Sequence, residues 1–513
     1  MSKSTITIDP VTRIEGHLAL RVVQENGVVS EARCSGTMFR GFEVIFKERD
    51  PRDAPILAQR ICGVCPQAHA TASARALDEA FGVAAQVPLN GKLLRDIMLG
   101  AEFLHSHVLH FYHLAALDYV DVTAVAKYAG ADPDLLAVKD FIARGNLGPF
   151  VPRYEGDYRL SADENVAAVK HYVEALEVRR NAHELLALFG GKAPHQCAVN
   201  VGGVGTSVSA DKVVRALAYV QSIREFVETA YLPDVLLVAK RYPDYFDIGK
   251  GCGRFLACGE FGALGQPLLS GGLLGPDGKV ADLSRDSISE QIACSWYADE
   301  SAAASPFDST VVPKHDKGGA YSWVKAPRYN GEPCEVGPLA RALVSCARGN
   351  APVKAAVDAL LKQAGLSAAK LNSTLGRHAA RALEAKLIAQ AMPGWIMALK
   401  PGEPCVLKAE VPQAGRGAGF VDAARGVLSH WVVIEAGKIK NYQAVVPTTW
   451  NGSPRDAAGK PGPIEQALQG VKIKDVNNPF ELVRVVRSFD PCLACAIHVA
   501  RPKGDVRLDL PVF

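Results

Sequence analysis

Ser488-Phe489-Asp490-Pro491-Cys492-Leu493-Ala494-Cys495-Ala496-Ile497-His498 holds two thiols at C-x-x-C spacing. A histidine follows three residues later, and a carboxylate stands two residues before the first thiol. Pro491 fixes its own φ and biases Asp490 away from helix, so the first cysteine is approached through extended chain. Far upstream, Arg60-Ile61-Cys62-Gly63-Val64-Cys65-Pro66-Gln67-Ala68-His69 repeats the arrangement, with its histidine four residues on. Four thiolates in two such pairs suit a soft or borderline metal. The pairs lie roughly 430 residues apart, so the fold and not a local loop must bring them together.

Three readings of the pairs are open on spacing alone: a structural zinc clip, dithiol redox chemistry, or a catalytic metal held by thiolates. Local zinc ribbons space their pairs by about 15–20 residues, and a redox dithiol needs one pair beside a βαβ pattern. A zinc clip also has no need of Arg60, His69, Asp490 and His498 at its edges. Those flanks fit groups that donate to sulfur or orient the ligands.

The other eight of the 12 cysteines, Cys34, Cys197, Cys252, Cys258, Cys294, Cys334, Cys346 and Cys405, are scattered and read as buried small hydrophobes. Twelve in 513 residues are too few for a disulfide scaffold. Lys and Arg number 57 against 54 Asp and Glu, a balance that excludes an electrostatic footprint for nucleic acid. The N-terminus has no apolar stretch of a signal peptide, and no run reaches the ~18 apolar residues of a membrane span. A hydrophobic content of 48% supports a large core.

Along the chain, residues 5–35 alternate as strands, with a tight Asn26-Gly27 turn. Asp9–His17, between the first two strands, is more polar and charged than a plain connection requires. A helical period begins near residue 52 and is interrupted at Arg60–Cys65. Residues 91–125 form a long helical run with His105, His107, His110 and His113, read as a bundle helix with hydrogen-bonded or interface histidines and not as a metal stripe. Helices are predicted at 163–190, 210–240, 352–364 and 376–399, an irregular Gly- and Pro-rich section at 245–345, and a β-rich section at 403–450. Neither glycine cluster at 190–192 or 202–205 has the pattern of a phosphate loop.

At this point the chain resembles a known family: the large, catalytic subunit of nickel–iron hydrogenases. R-x-C-G-x-C-x-x-x-H at Arg60–His69 and D-P-C-x-x-C-x-x-H at Asp490–His498 are similar to that family's two end motifs. Thr12-Arg13-Ile14-Glu15-Gly16-His17, Arg40-Gly41-Phe42-Glu43, Ala424-Arg425-Gly426 and Pro447-Thr448-Thr449-Trp450-Asn451 match as well. The likeness lies closest to the periplasmic uptake and selenium-containing branch, with Cys492 at the selenium position. It implies one large multihelical unit over residues 1–513, mainly α with β-rich peripheral sections (α+β).

The resemblance further implies that Cys62, Cys65, Cys492 and Cys495 bind nickel, with Cys65 and Cys495 bridging to an iron that carries carbon monoxide and two cyanides. Arg425, Pro447 and Thr448 would surround those diatomic ligands, and His69 would hydrogen-bond a bridging sulfur. Glu15 would carry protons away, while Arg425 and Asp490 would cover the open metal position. Glu43, the backbone oxygen of Ala444 and His498 would hold a magnesium ion. The implied activity is reversible heterolytic cleavage of dihydrogen, with electrons passing to a small subunit that carries iron–sulfur clusters. Glycines and histidines of the 91–125 helix are expected contacts for that subunit. The chain would lie in the periplasm or at a membrane through the small subunit, or alternatively in the cytoplasm. A hydrogen sensor, or a non-catalytic relative on the quinone side of complex I, are the alternative classes; the four cysteines argue against the second.

Two positions depart from the family pattern. Ser106 stands in His105-Ser106-His107 where many relatives carry Asp, and Ala424 replaces a common Pro before Arg425. The group covering the metals thereby lacks one carboxylate. The resemblance also implies nickel-insertion factors and a maturation protease that removes the 15 residues Val499–Phe513.

Overall fold

The computed structural model describes residues 3–496 apart from 146, 152, 154 and 302–304. His498 and the tail lie outside the described residues.

The chain opens with an antiparallel sheet of β1 (Lys3–Ile8), β2 (Leu18–Glu25) and β3 (Val28–Gly36) in the order β1-β2-β3. Leu18, Leu20 and Val22 are buried on one face, as the alternation predicts. Asn26 and Gly27 both take positive φ, 55° and 78°, which a two-residue hairpin turn requires. The excursion between β1 and β2 brings Glu15 inward.

Helix α1 (Pro66–Ala80) begins on the residue after Cys65, with Pro66 in the first turn where no donor is lost. Helix α2 (Leu89–Val108) follows. The histidine-bearing run is not one continuous α-helix to residue 125: it widens to a π-helical turn at Leu109–Ala115 and then breaks into short 3₁₀ turns. Helix α3 (Ala162–Gly190) starts at a Ser161/Glu164 capping box. Helices α3 and α4 (Ala210–Phe226) pack together, and α2 packs on α3. The stretch expected to be irregular contains the buried helix α5 (Pro338–Ala347) besides its short strands. Helix α6 (Thr374–Met397) completes the helical layer against α2 and α4.

Strands β4 (Ala414–Ala423), β5 (Gly426–Glu435) and β6 (Lys438–Val445) form an antiparallel meander, starting later than the β-rich period at 403 suggests. Helix α1 lies directly on β4. Gly415, Gly417 and Gly419 share one face of that strand, and Ala72, Ala76 and Ala80 recur every fourth residue on the helix. A Cβ at Gly415, Gly417 or Gly419 would come within 2.4, 2.1 or 2.0 Å of the carbonyls of Ala80, Ala76 and Ala72. Missing side chains therefore let helix and strand backbones touch. Short helices α7 (Pro447–Asn451) and α8 (Phe480–Ser488) precede the last described turn, α9 (Leu493–Ala496).

Buried ion pairs tie these layers together. Arg341 on α5 makes two 2.7 Å bonds to Glu384 on α6, and His107 Nε2 lies 2.8 Å from the same carboxylate. Arg341 also donates to the Ala423 and Ala424 carbonyls at 2.8 and 3.0 Å, fixing the β4–β5 turn just before Arg425.

Candidate metal centre

The fold brings the two C-x-x-C pairs together. Sγ of Cys62, Cys65, Cys492 and Cys495 all lie within 4.8 Å of one another, and all four residues are buried. Cys62 and Cys492 are 3.4 Å apart, Cys65 and Cys495 3.2 Å, and Cys492 and Cys495 3.0 Å. These separations are too long for disulfides, whose S–S length is about 2.0 Å. No other cluster of potential metal ligands of this kind occurs among the described residues, so the histidines of α2 and the π-helical turn after it form none. His105, His107 and His110 bond instead to Val64 O, Glu384 and Arg487 O.

Each cysteine loop is held by backbone bonds from remote segments. Cys62 Sγ accepts from the amides of Val64 and Cys65 at 3.2 and 3.4 Å. His105 on α2 pins the Val64 carbonyl at 2.9 Å, and His195 reaches the Cys62 carbonyl at 3.3 Å. Glu102 on α2 accepts from the first free amides of α1, Gln67 and Ala68, at 2.6 and 3.0 Å, and burial pushes its carboxyl up to about 8. Arg40 donates to the carbonyls of Arg60 and Ile61 at 2.8 and 2.5 Å and to Ala494 at 3.3 Å, stapling one motif to the other. Arg60 itself is exposed and offers only its backbone. The ligand-orienting role expected of Arg60 is thus filled by Arg40, which holds both motifs through their carbonyls.

Glu15 reaches the sulfurs from the first sheet. Its amide donates to Pro491 O at 3.4 Å and its carbonyl accepts from Leu493 N at 2.8 Å, a short parallel bridge. Gly16 makes this approach possible: its φ is 77°, and a Cβ there would meet Ala494 N at 2.6 Å. Glu15 Oε2 then sits 3.1 Å from Cys492 Sγ and accepts from Ala494 N at 3.1 Å. Burial, reinforced by the charge on Cys62, raises its pKa from the ordinary carboxylate value. The preceding turn is clamped by Arg487, which donates to Thr12 O at 3.0 and 2.8 Å and shares Asp118 with Arg13 at 2.5 Å each.

Arg425 lies on the other side, buried at the β4–β5 turn. It donates to Asp490 O at 3.1 Å, Asp490 Oδ1 at 3.0 Å and Ser106 Oγ at 3.2 Å. Burial disfavours its charge, yet Asp490 and the thiols of Cys492 and Cys65 outweigh that and hold it ionised. Thr448 Oγ1 accepts from Cys492 N at 2.9 Å, which leaves its own proton to give; Pro447 opens the same buried turn. Glu43 Oε1 accepts from Ala444 N at 3.2 Å, and burial lifts that carboxyl to about 7. Glu43 thus lies beside Ala444, but the bond runs from the Ala444 amide and not through the backbone oxygen expected to take magnesium.

His69 Nε2 lies 3.4 Å from Cys495 Sγ, and burial pushes the ring down to about 4, so it stays neutral. The thiols do not ionise alike. Burial opposes charge on Cys62, but hydrogen bonds from Cys492, Cys495 and Cys65, with Arg425 nearby, bring it well below an ordinary thiol. Burial drives Cys492 and Cys495 up. One charge is thus tolerated, and a metal cation would be needed to hold all four as thiolates. Asp490 Oδ2 is buried without a hydrogen-bond partner, a further sign of a site built around something more than protein.

Among the scattered cysteines, Cys34, Cys334 and Cys405 are buried as expected, whereas Cys197 is exposed and the remaining four are half-buried. Arg40, Glu102, His195, and behind His69 the pair His430 and Tyr442 (His430 Nε2 lies 3.0 Å from His69 Nδ1 and its Nδ1 2.6 Å from Tyr442 Oη), are the site residues that sequence reasoning missed. Arg40 and Glu102 act through several contacts to residues far along the chain, and of the two only Arg40 stands in one of the sequence motifs.

Residues 40–498 match the family model described as nickel-dependent hydrogenase, and residues 5–37 a model described as HoxL-like. The chain is 42% identical over 519 residues to the periplasmic [NiFeSe] hydrogenase large subunit of Desulfomicrobium baculatum, covering 97% of this chain and 95% of the relative. It is 40% identical over 572 residues to the hydrogenase-2 large chain of Escherichia coli K12, covering 99% of each. The solved Ni-Fe-Se hydrogenase of Desulfovibrio vulgaris Hildenborough superposes with a TM-score of 0.87 at 44% identity, over 97% of this chain and 100% of that one. The chain therefore belongs to the nickel-dependent hydrogenase family. It is a catalytic large subunit, and its four clustered cysteines can hold a metal, in keeping with the family's nickel–iron centre.

Proposed function

We propose that the chain oxidises dihydrogen reversibly at a nickel–iron pair that Cys62, Cys65, Cys492 and Cys495 would hold. The observation that carries this reading is the set of four buried sulfurs within 4.8 Å, with Glu15 Oε2 3.1 Å from one of them. Soft sulfur donors suit both metals. When bound, the pair supplies the Lewis-acid position at which dihydrogen is split heterolytically.

The chain's own residues then manage protons and charge. Cys492 Sγ holds a proton, and Glu15 Oε2 receives it; burial raises the pKa of that carboxyl, which makes it a better proton acceptor than an exposed carboxylate. Arg425 keeps a fixed positive charge beside the centre, oriented by Asp490 and Ser106. Thr448, with Pro447 and Arg425, offers donor and apolar surroundings to carbon monoxide and two cyanides on the iron. Glu43, the Ala444 carbonyl and His498 would take a magnesium ion; burial lifts the Glu43 carboxyl to about 7, and a divalent cation beside it would offset that penalty and hold it charged.

As a large subunit, the chain pairs with a small subunit that carries iron–sulfur clusters and receives the electrons. No helix of the described residues is long and apolar enough to cross a membrane. Together with a relative named as periplasmic, this supports a place in the periplasm or at a membrane-bound partner. A maturation protease, acting after nickel insertion, would remove Val499–Phe513 as one tail from a single large unit. Purified hydrogen-oxidising enzyme should contain nickel and iron in equal amounts and show infrared bands of carbon monoxide and cyanide. Its large subunit should end at His498 by intact mass. Full turnover without those bands would refute the centre, and full turnover in chains ending at Phe513 would refute the processing.

A further inference from the structure

The bond between His69 and Cys495 is one end of a longer chain. His69 and Ser73 sit four residues apart on the same face of α1. His430 on β5 and Tyr442 on β6 are diagonal neighbours on adjacent strands, Tyr442 facing Val432. His69 Nδ1 lies 3.0 Å from His430 Nε2, His430 Nδ1 lies 2.6 Å from Tyr442 Oη, and Tyr442 Oη lies 2.8 Å from Ser73 Oγ. Exposure is 1% at His69 and 0% at Ser73 and His430, and Tyr442 is equally buried. The four groups form a dry loop that starts on α1, crosses two strands and returns to α1.

We infer that His430 and Tyr442 are positioning residues that fix the His69 ring with its single proton on Nε2, facing the Cys495 sulfur. A neutral imidazole carries one N–H, as burial dictates for His69, so with His430 neutral as well each ring donates at one nitrogen and accepts at the other. The phenol also has one proton, to give either to His430 or to Ser73. These choices run the loop in opposite directions. If Tyr442 gives its proton to Ser73, His430 donates from Nδ1, His69 donates from Nδ1, and a bare Nε2 lone pair faces Cys495. If Tyr442 gives its proton to His430 at 2.6 Å, His430 donates from Nε2 to His69, and His69 donates from Nε2 to sulfur. In this second arrangement the 2.8 Å bond from Tyr442 to Ser73 is reversed, the Ser73 hydroxyl turning to donate to the Tyr442 oxygen.

The sulfur decides between them. A metal-bound Cys495 is a thiolate with lone pairs only, already crowded by Cys65 at 3.2 Å and Cys492 at 3.0 Å. It needs a donor and repels a lone pair. An N–H on a thiolate withdraws electron density from the sulfur and so from the metals, which sets their potential. The loop thus lets two residues that never touch the centre tune it through the tautomer of a third.

The inference rests on the proposed nickel–iron centre, and the test separates the two. Neutron diffraction from deuterated wild-type enzyme should place deuterium on Nε2 of both His69 and His430. Deuterium on Nδ1 of His69 would overturn the inference whatever the metals are. In Tyr442→Phe the iron-bound carbon monoxide band should move to lower wavenumber and the centre's potential should become more negative, with nickel and iron content unchanged. His430→Leu should reproduce that shift, and His430→Gln, whose amide can still donate to His69 Nδ1, should return the band to its wild-type position. Unmoved bands in Tyr442→Phe, or loss of the metals from it, would make the loop a structural brace and refute tuning. Absence of the bands from wild-type enzyme would instead refute the centre itself.

Discussion

At the scale of single residues, geometry separates proton handling from charge placement. Glu15 makes its sulfur contact and its Ala494 bond through the same oxygen, Oε2. A glutamine can still accept from the Ala494 amide but cannot carry a proton at neutral pH. Glu15→Gln should therefore keep nickel and iron and lose about 10²–10⁴-fold in hydrogen oxidation. Metal analysis and turnover on the same sample check this; unimpaired turnover would remove Glu15 from the reaction, and lost metals would make it structural. Arg425 places three separate nitrogens on two residues. Lysine has one nitrogen on a flexible stem and cannot hold that fork. Arg425→Lys should lower turnover by about 10²-fold with the centre assembled. Ser106→Ala removes only one bond, to a hydroxyl, worth about 1 kcal/mol, so its effect should stay near tenfold or below. Equal effects of the two changes would contradict Asp490 as the main anchor of the arginine.

At the scale of elements, the contact between α1 and β4 sets where Cys65 sits, because α1 begins on the next residue. Gly417→Ala would put a Cβ 2.1 Å from the Ala76 carbonyl, and backbone cannot step aside as a side chain does. The helix must lift, at about 1–3 kcal/mol or more. The expected result is a lowered melting temperature together with reduced metal retention. Gly394→Ala, in open space on α6, should be neutral or stabilising by up to ~1 kcal/mol, and is the matched control. A Gly417→Ala protein as stable and as well loaded as wild type would disprove the close-contact account. These elements also show what a sequence reveals. Both cysteine pairs, Glu15, Arg425 and Thr448 were legible because each stands in a short motif. The helices at 162–190 and 374–397 were legible from their period. The glycines at 415, 417 and 419 read only as a weak strand, since their meaning lies in alanines more than 300 residues earlier. Arg40, Glu102 and His430 act through carbonyls, amides or a ring nitrogen far along the chain, and no local pattern marks such partners. The π-helical turn at Leu109–Ala115 is likewise decided by what packs around it: His110 inside it is drawn to Arg487 O at 2.6 Å.

At the scale of the whole molecule, the interior carries many ionisable groups, and they divide into two kinds. Glu384, held by Arg341 and His107 against the penalty of burial, falls to about 2 and stays charged. Asp96 on α2 is the opposite case. Burial first, then the neighbouring Glu260, push it to about 7, and Arg75 and Arg95 only partly offset this. Glu260 is committed to Arg75 at 2.6 Å and Arg95 to Asp78 at 2.5 Å, so no cation is left to pair with Asp96 fully. The folded state therefore binds a proton here that the unfolded chain, with its ordinary value of 3.8, has released. Stability from this group is fully present below that ordinary value and is lost as pH rises through about 7. Asp96→Asn mimics the protonated side chain and keeps an oxygen for the Ala263 amide, which Asp96 Oδ2 accepts at 3.0 Å. Between pH 5 and pH 8 the wild-type enzyme should lose on the order of 2 kcal/mol more stability than the variant, read from denaturant midpoints at each pH. Glu43 shares the same window, but a divalent ion beside it would keep that carboxylate charged, so its share should vanish when magnesium is present. Parallel pH profiles for wild type and Asp96→Asn would show that Asp96 is ionised in the folded enzyme, and the assignment of the alkaline loss to it would fail.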